Sequence, residues 1–149
     1  MDTVYFVSGL RPYSVQASSS RLEKYKIKLQ EEFLEFKSVY PTLPLTQDLY
    51  SKIIYIHSSG TDLDVDNMSK PFVDAFRGII YPDDSTINHR VCSKIKFDDF
   101  TSCEIRLDVM PVEVSTRLDE LISEKSRHIL YFEVGAFLQD MVFIGGKKK

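Results

Sequence analysis

The chain has 149 residues, 43% of them hydrophobic and 28% charged, which is typical of a single globular domain with one sizeable core. No apolar run approaches the length of a membrane span, and residues 1–13 lack the basic start and long apolar stretch of a signal peptide. We therefore expect no membrane partner and a cytoplasmic location. Cys92 and Cys103 are too few for a disulfide framework and fit no zinc motif, so both are expected to be reduced structural thiols.

The formal net charge of −3 comes from one acidic stretch. Residues 61–85, TDLDVDNMSKPFVDAFRGIIYPDDS, hold six aspartates against Lys70 and Arg77, so this stretch carries −4 and the rest of the chain +1. Clustered carboxylates repel one another unless cations lie among them. Because a bound divalent cation would cancel the acidic excess, the net charge does not exclude a nucleic-acid partner.

The first half of the chain predicts a strand, a helix and a second strand. A β-rich run over 3–7 predicts the first strand, and residues 49–58 predict the second. Between them, Ser20 and Glu23 form a capping-box pattern, and the apolar residues that follow recur at helical spacing. This pattern predicts an amphipathic helix over residues 21–38.

A short helix is predicted inside the acidic stretch, over residues 67–77. Its apolar residues fall on one stripe, and Asp66 or Asn67 is a suitable N-cap. Gly78 stands where a left-handed residue would end the helix. Pro71 should distort the first turn, because its ring clashes with the carbonyl of Asn67.

The second half predicts more strands and one more helix. Residues 86–97 and 102–110 alternate and predict a β-hairpin closed by residues 98–101. The remaining predicted elements are a helix over 116–127, strands over 129–134 and 141–144, and a flexible basic tail over 145–149. The whole pattern predicts one α+β domain over residues 1–149, with helices packed on a small mixed sheet. Residues from about 112 to 149 form a C-terminal helix and strand extension of that domain.

A calcium loop is one explanation of the aspartates, because Asp62, Asp64 and Asp66 occupy positions 1, 3 and 5 of an EF-hand-like pattern. Position 6, however, is Asn67 instead of glycine, and position 12 is Val73 instead of a bidentate glutamate. A standard EF-hand is therefore not favoured. Ordinary helix caps, turn residues and an i,i+4 ion pair between Asp66 and Lys70 would also explain each acidic residue taken alone.

A divalent-metal site for phosphoryl transfer explains the aspartates together. If the backbone is extended, Asp64 and Asp66 point to the same side, and a strand–helix–strand unit can bring Asp84 to them. Three carboxylates suit Mg²⁺, and Mn²⁺ is possible. Such ions activate water and stabilise charge on a phosphodiester, and Lys70, one turn beyond Asp66, could hold a phosphate or stabilise transition-state charge.

The same residues resemble the signature of a known family. The pattern runs Asp64-x-Asp66-Asn67-x-x-Lys70, then Asp74-Ala75, then Gly78-Ile-Ile-Tyr-x-Asp83-Asp84-Ser85-x-Ile87. It resembles the RusA family of Holliday-junction resolvases over residues 64–87.

The resemblance implies a small α+β domain that acts as a homodimer on branched DNA. It implies Asp64, Asp66 and Asp84 as metal ligands and Lys70 as an active-site lysine, with Asp83 able to share or replace the role of Asp84. The expected function is therefore a Mg²⁺-dependent structure-selective endodeoxyribonuclease.

Two alternatives stay open at this point. The best-known family members carry arginines just before the first aspartate, where this chain has the residues SSGTDL at 58–63. Their absence motivates a non-catalytic DNA-binding or metal-stabilised interaction module on the same fold. A nuclease that acts on RNA or simple duplexes is the third possibility.

Overall fold

The computed structural model describes residues 3–58, 63–96 and 104–146. Within these ranges it contains three α-helices and four strands, which confirms the predicted mixed α+β class. In chain order the elements are β1 (Val4–Ser8), α1 (Ser19–Leu34), β2 (Leu49–His57), α2 (Val65–Ala75), β3 (Ile87–Lys96), α3 (Val112–Ser123) and β4 (His128–Ala136).

The four strands form one mixed sheet in the order β1-β4-β2-β3. β4 runs antiparallel to both of its neighbours, so Phe132 lies opposite Phe6 on one side and Ile53 on the other. β2 and β3 are parallel, with Ile53 opposite Cys92. Parallel neighbours need a long crossover, and α2 provides it. Strand β4, which comes from the predicted C-terminal extension, is thus an inner strand of the sheet.

The predicted hairpin over 86–97 and 102–110 is wrong. Its first half is β3, but β3 pairs in parallel with β2. Of its second half, residues 104–106 are irregular and Leu107–Val109 form a single 3-10 turn. The predicted closing turn, residues 98–101, lies outside the described residues. Helix α2 returns the chain to the end of the sheet where β2 begins. Strand β3 therefore pairs with β2, and it does not pair with the segment that follows it over residues 104–110.

The predicted strand over 141–144 is also wrong. Gln139–Met141 form a 3-10 turn, and Ile144 is 99% exposed. A short apolar run does not by itself decide between strand and loop, because a strand also needs a free neighbour to pair with. Of the predicted tail over 145–149, Gly145 and Gly146 have positive φ angles, and the lysines lie outside the described ranges.

All three helices begin and end earlier than predicted: α1 is Ser19–Leu34 instead of 21–38, α2 is Val65–Ala75 instead of 67–77, and α3 is Val112–Ser123 instead of 116–127. Helix α1 is capped by Ser18, whose hydroxyl accepts a hydrogen bond from the Arg21 amide at 3.4 Å, so its cap stands two residues before the predicted Ser20 cap. Helix α3 begins at Val112, directly after Pro111, instead of at the predicted 116–127. Proline has no amide to leave unpaired at a helix start, which explains the earlier beginning.

An aromatic cluster joins α1 and α2 to one face of the sheet. The rings of Phe72 and Phe132 are 4.9 Å apart, and Phe6 lies 5.6 Å from Phe33 of α1 and 5.4 Å from Phe76. All five side chains are fully buried. This packing holds α2 against the sheet and therefore fixes the position of the acidic residues at its two ends.

Helix α3 lies against the other face, where Leu118 lines a cavity of about 380 Å³ together with Ile54 and Tyr131. Ile54 follows Ile53 in β2, so the two side chains point to opposite faces. The sheet is therefore covered by helices on both faces.

Tyr40 satisfies the free edge of β1. Its hydroxyl accepts a hydrogen bond from the Tyr5 amide at 2.9 Å and donates one to the Tyr5 carbonyl at 2.7 Å. Burial raises the pKa of Tyr40 to about 12, so the hydroxyl stays protonated and can donate. The hydroxyl of Tyr25, unlike that of Tyr40, is buried without a hydrogen-bond partner among the described residues.

These two tyrosines give a matched test of the fold. Tyr40→Phe removes both hydrogen bonds but keeps the ring, and it should lower the free energy of unfolding by about 1–3 kcal/mol. Tyr25→Phe removes only an unpaired hydroxyl and should leave stability unchanged or raise it by up to about 1 kcal/mol. Urea unfolding followed by circular dichroism measures both. A Tyr25→Phe loss equal to that of Tyr40→Phe would contradict the assigned hydrogen bonds.

Candidate active site

Asp64 caps the N-terminus of α2. One of its carboxylate oxygens accepts a hydrogen bond from the Asn67 amide at 2.9 Å, and the other lies 3.4 Å from the Asn67 side-chain nitrogen. The predicted caps, Asp66 and Asn67, are therefore wrong by two or three residues. Asp66 lies in the first turn, where the partial positive charge of the helix end favours a carboxylate.

This boundary changes the relation between Asp64 and Asp66. Asp64 has an extended backbone, with φ −88° and ψ 162°, but the helix already begins at Val65. The alternation of a strand therefore does not apply to the pair. Instead, the helix start fixes both residues: Asp64 as its cap and Asp66 in its first turn.

Pro71 serves to attach α2 to the loop before α1. Proline has no amide for the carbonyl of Asn67, four residues back. That carbonyl instead accepts a hydrogen bond from the Val15 amide at 2.9 Å. The distortion expected at Pro71 thus has a structural use, because it frees a backbone acceptor for a neighbouring segment.

The C-terminal end of α2 is held in a similar way. Gln30 of α1 donates a hydrogen bond to the Ala75 carbonyl at 2.8 Å, and the buried Tyr81 hydroxyl donates to the Val73 carbonyl. Gly78 has φ +81°, the left-handed conformation predicted for it, although α2 ends three residues earlier. This turn carries the chain from the end of α2 to Asp83 and Asp84.

Three basic side chains surround the carboxylate of Asp84. Lys70 lies 2.9 Å from its Oδ2 atom, Arg77 lies 3.1 Å from Oδ1 and Arg90 lies 3.4 Å from Oδ2. The Asp84 side chain is only 12% exposed, whereas the cations are 46%, 49% and 35% exposed. The carboxylate therefore lies beneath a layer of positive charge that faces solvent.

Two further carboxylates complete this group. Asp74 lies 3.0 Å from Lys70 and 3.3 Å from Arg77, and Asp83 lies 3.2 Å from Arg77. We call these six residues the Asp84 cluster: Lys70, Asp74, Arg77, Asp83, Asp84 and Arg90. Its three cations balance its three carboxylates. The ion pair considered between Lys70 and Asp66 is replaced by pairs with Asp74 and Asp84.

The pKa values follow this arrangement. The hydrogen bond from Lys70, and then the charges of Lys70 and Arg77, hold the pKa of Asp84 below its ordinary value. The hydrogen bonds to Asp84 and Asp74 raise the pKa of Lys70. The charge of Asp84 raises the pKa of Arg77. Every one of these shifts favours the charged form, so the ion pairs persist across the neutral pH range.

The acidic residues at the start of α2 lie against the far end of β3. Lys94 donates a hydrogen bond to the Leu63 carbonyl at 2.7 Å, next to Asp64, and Cys92 donates one to the Val65 carbonyl at 3.5 Å. Burial, with a smaller contribution from the charge of Asp66, raises the pKa of Cys92 to about 11. The thiol is therefore protonated at neutral pH, which agrees with a structural role; Cys103 lies outside the described residues.

The structure brings together Lys70 and Asp84 of the predicted site. Over residues 3–58, 63–96 and 104–146, no three acidic, histidine or cysteine side chains converge closely enough to hold a metal ion. Asp64, Asp66 and Asp84 thus do not form one ligand set here, although their carboxylate oxygens are the donor type that Mg²⁺ prefers. Their role as metal ligands stays a prediction.

Sequence reasoning missed Arg77 and Arg90 as members of the site. Arg77 stands three residues after Asp74 on the same helix face, which was a usable signal. Arg90 shares the parity of Cys92 and Lys94 on β3, but its meeting with Asp84 depends on the turn at the start of that strand. His89, with the opposite parity, stacks on Phe137.

Comparison with known families gives the class of protein. The model of the endodeoxyribonuclease RusA family matches residues 15–108, which cover α1, β2, α2 and β3 with the Asp84 cluster. The chain therefore belongs to the RusA endodeoxyribonuclease family, whose members are Holliday-junction resolvases. The match ends before α3 and β4. A comparison with curated proteins found no match.

In the part of the chain that the structure describes, no helix is long and apolar enough to cross a membrane.

The charge of Asp84 should stabilise the fold in a pH-dependent way. Since its pKa is lowered in the folded state, its contribution is present above the unfolded value of about 3.9 and is lost as the pH falls below it. Asp84→Asn should therefore cost about 1–2 kcal/mol at about pH 7, and this difference should shrink below about pH 3.9. Urea unfolding at several pH values measures it.

Asp108→Asn is the matched control, because Asp108 is 75% exposed and lies 3.9 Å from Arg106. It removes the same charge and should change stability by less than about 0.5 kcal/mol at every pH. An Asp84→Asn difference that stays constant down to about pH 3 would mean that the carboxylate charge contributes nothing.

Proposed function

We propose that the protein is a divalent-metal-dependent endodeoxyribonuclease that resolves Holliday junctions or other branched DNA by paired phosphodiester hydrolysis. The observation that carries the proposal is the Lys70–Asp84 contact inside the family-matched region. The Asp84 side chain is only 12% exposed, so its charge needs a cation, and the same lysine can also bind a phosphate group. Family membership supplies the class of reaction, and the site supplies the residues.

The metal ligands are proposed to be Asp64, Asp66 and Asp84, with Asp83 able to replace or assist Asp84. RusA resolvases are generally dependent on a divalent metal. Mg²⁺ is the proposed ion, with Mn²⁺ as a substitute, because carboxylate oxygens suit both. When bound, such an ion supplies Lewis acidity and makes water more acidic.

Lys70 is proposed to act on the phosphate itself. Hydrolysis forms a bond between a water oxygen and phosphorus and breaks one bond between phosphorus and a deoxyribose oxygen, which then takes up a proton. Negative charge grows on the phosphoryl oxygens during this exchange. A protonated lysine within reach stabilises that charge, and the raised pKa of Lys70 keeps it protonated at neutral pH.

Paired cleavage is proposed to follow from a homodimer. A two-fold axis presents two equivalent sites to two strands of a branched substrate, so one geometry yields two symmetric cuts. The cytoplasm is the proposed location of this activity.

A non-catalytic DNA-binding module is the second candidate. The observation that favours it is that both carboxylate oxygens of Asp84 are engaged by basic side chains. If those pairs never open, Asp84 cannot bind a metal ion, and the protein would bind branched DNA without cutting it.

Cleavage of synthetic four-way junctions separates the two candidates. The wild-type protein should cut labelled junctions with Mg²⁺ or Mn²⁺ and should not cut with excess chelator. Asp66→Asn should lower the cleavage rate at least about 100-fold, because it removes a proposed ligand of the metal. Lys70→Met should lower it about 10- to 1,000-fold by removing transition-state charge stabilisation.

Asp108→Asn serves again as the control and should cleave at the wild-type rate. Equal rates for the wild type and Asp66→Asn would exclude the metal site. Junction binding without cleavage in either metal would support the non-catalytic candidate. Competition with linear duplex DNA and with RNA tests the preference for branched DNA.

A further inference from the structure

Asp84 has more basic partners than its single negative charge requires, and two of them, Arg77 and Arg90, are partly exposed to solvent. Lys70 already neutralises that carboxylate at 2.9 Å, yet both arginines point at it as well. We infer that Arg77 and Arg90 bind the DNA backbone phosphates beside the site. In the metal-free protein they pair with Asp84, and they are released for the phosphates when a divalent cation binds the Asp84 carboxylate. This inference rests on the function proposed above and assigns its substrate-binding residues.

The chemistry of the two side chains suits this role. Guanidinium groups match the geometry of phosphate oxygens and form paired hydrogen bonds with them. Arg77 is 49% exposed and Arg90 is 35% exposed, so each can reach a ligand in solvent. They approach Asp84 from two elements, since Arg77 follows the end of α2 and Arg90 lies on β3. Together they flank the carboxylate on both sides.

Charge balance links metal binding at Asp84 to DNA binding by the arginines. In the metal-free cluster, three cations match three carboxylates, so this face offers little net attraction to DNA. A carboxylate oxygen that ligates a divalent cation has less negative charge to offer an arginine. Arg77 keeps its pairs with Asp74 and Asp83, but the cluster as a whole then carries a net positive charge next to the reacting phosphate. DNA affinity should therefore rise as Asp84 is neutralised.

The rest of β3 extends this basic surface. β3 is an edge strand, and Arg90, Lys94 and Lys96 are exposed side chains of the same parity on it. Lys94 reaches the backbone just before Asp64. The basic residues thus run along α2 from the Asp84 cluster to the capped helix start. They offer this chain a substitute for the arginines that are absent before Asp64.

A purely structural role for the arginines makes a different prediction. If Arg77 and Arg90 only hold the turn before β3 in place, neutralising Asp84 would loosen the turn without improving DNA binding. The two accounts can therefore be separated by measuring affinity without any cleavage.

The experiment uses Asp84→Asn in metal-free buffer, where asparagine neutralises the site permanently. Binding of a labelled four-way junction is followed by fluorescence anisotropy over a series of salt concentrations. Asp84→Asn should bind about 3- to 10-fold more tightly than Asp108→Asn, which makes the same change in net charge elsewhere. Circular dichroism checks that each variant is folded.

The arginines are then removed one at a time in the Asp84→Asn protein. Adding Arg77→Gln or Arg90→Gln should each reduce the slope of log affinity against log salt by about 1, as expected for one lost phosphate contact. Adding Arg117→Gln is the matched control, because Arg117 pairs with Glu120 on α3, and it should leave the slope unchanged. If Asp84→Asn does not fold, Asp83→Asn removes one of the three carboxylates that pair with Arg77 and should give a smaller rise in affinity.

The outcomes separate this inference from the proposed function. If Asp84→Asn binds no more tightly than Asp108→Asn, or if the arginine substitutions leave the salt slope unchanged, the inference is overturned while junction cleavage by the wild type still supports the proposed function. If affinity and slope change as expected but the wild type never cleaves, the arginine assignment stands and the catalytic function fails. No DNA binding by any of the proteins would overturn both.

Discussion

A carboxylate that is nearly buried has to be neutralised, and Asp84 meets this requirement with cations from three places in the chain. Lys70 comes from the middle of α2, Arg77 follows its end and Arg90 lies on β3. One small charged group thus joins the helix, the turn at Gly78 and the edge of the sheet. The ion pairs that define the candidate site also connect these three segments, so the site and the local fold depend on the same contacts.

Helix α2 is the second element on which the arrangement depends. It connects two parallel strands, which requires a crossover, and it presents acidic residues at both ends. Pro71 lies inside it at a position where proline normally weakens a helix. The freed Asn67 carbonyl instead binds the Val15 amide, and Gln30 and Tyr81 hold the other end. A local weakness in the helix therefore becomes a tertiary contact with the loop before α1.

The sequence was a good guide where a pattern is local and a poor one where pairing is distant. β2, β4 and the Gly78 turn were predicted closely, because alternation and left-handed glycine depend on near neighbours. The hairpin after Ile87 failed because β3 pairs across a helix with β2. In the candidate site, the residue pattern indicated Lys70 and Asp84, which the structure brings together, but nothing local indicated that Arg90 would meet Asp84. That contact depends on how the chain turns back after α2, and turn geometry was the part that periodicity could not supply.

The central claim is that Asp84 exchanges its basic partners for a divalent cation held with Asp64 or Asp66. Diffraction from crystals soaked in Mn²⁺ tests it most directly, because the anomalous signal locates the ion independently of the protein chain. The account predicts an anomalous peak in contact with the carboxylate of Asp84 and at least one of the other two aspartates, with Arg77 and Arg90 turned away from Asp84. An ion found elsewhere, or Asp84 still bound by both arginines in the presence of Mn²⁺, would contradict it.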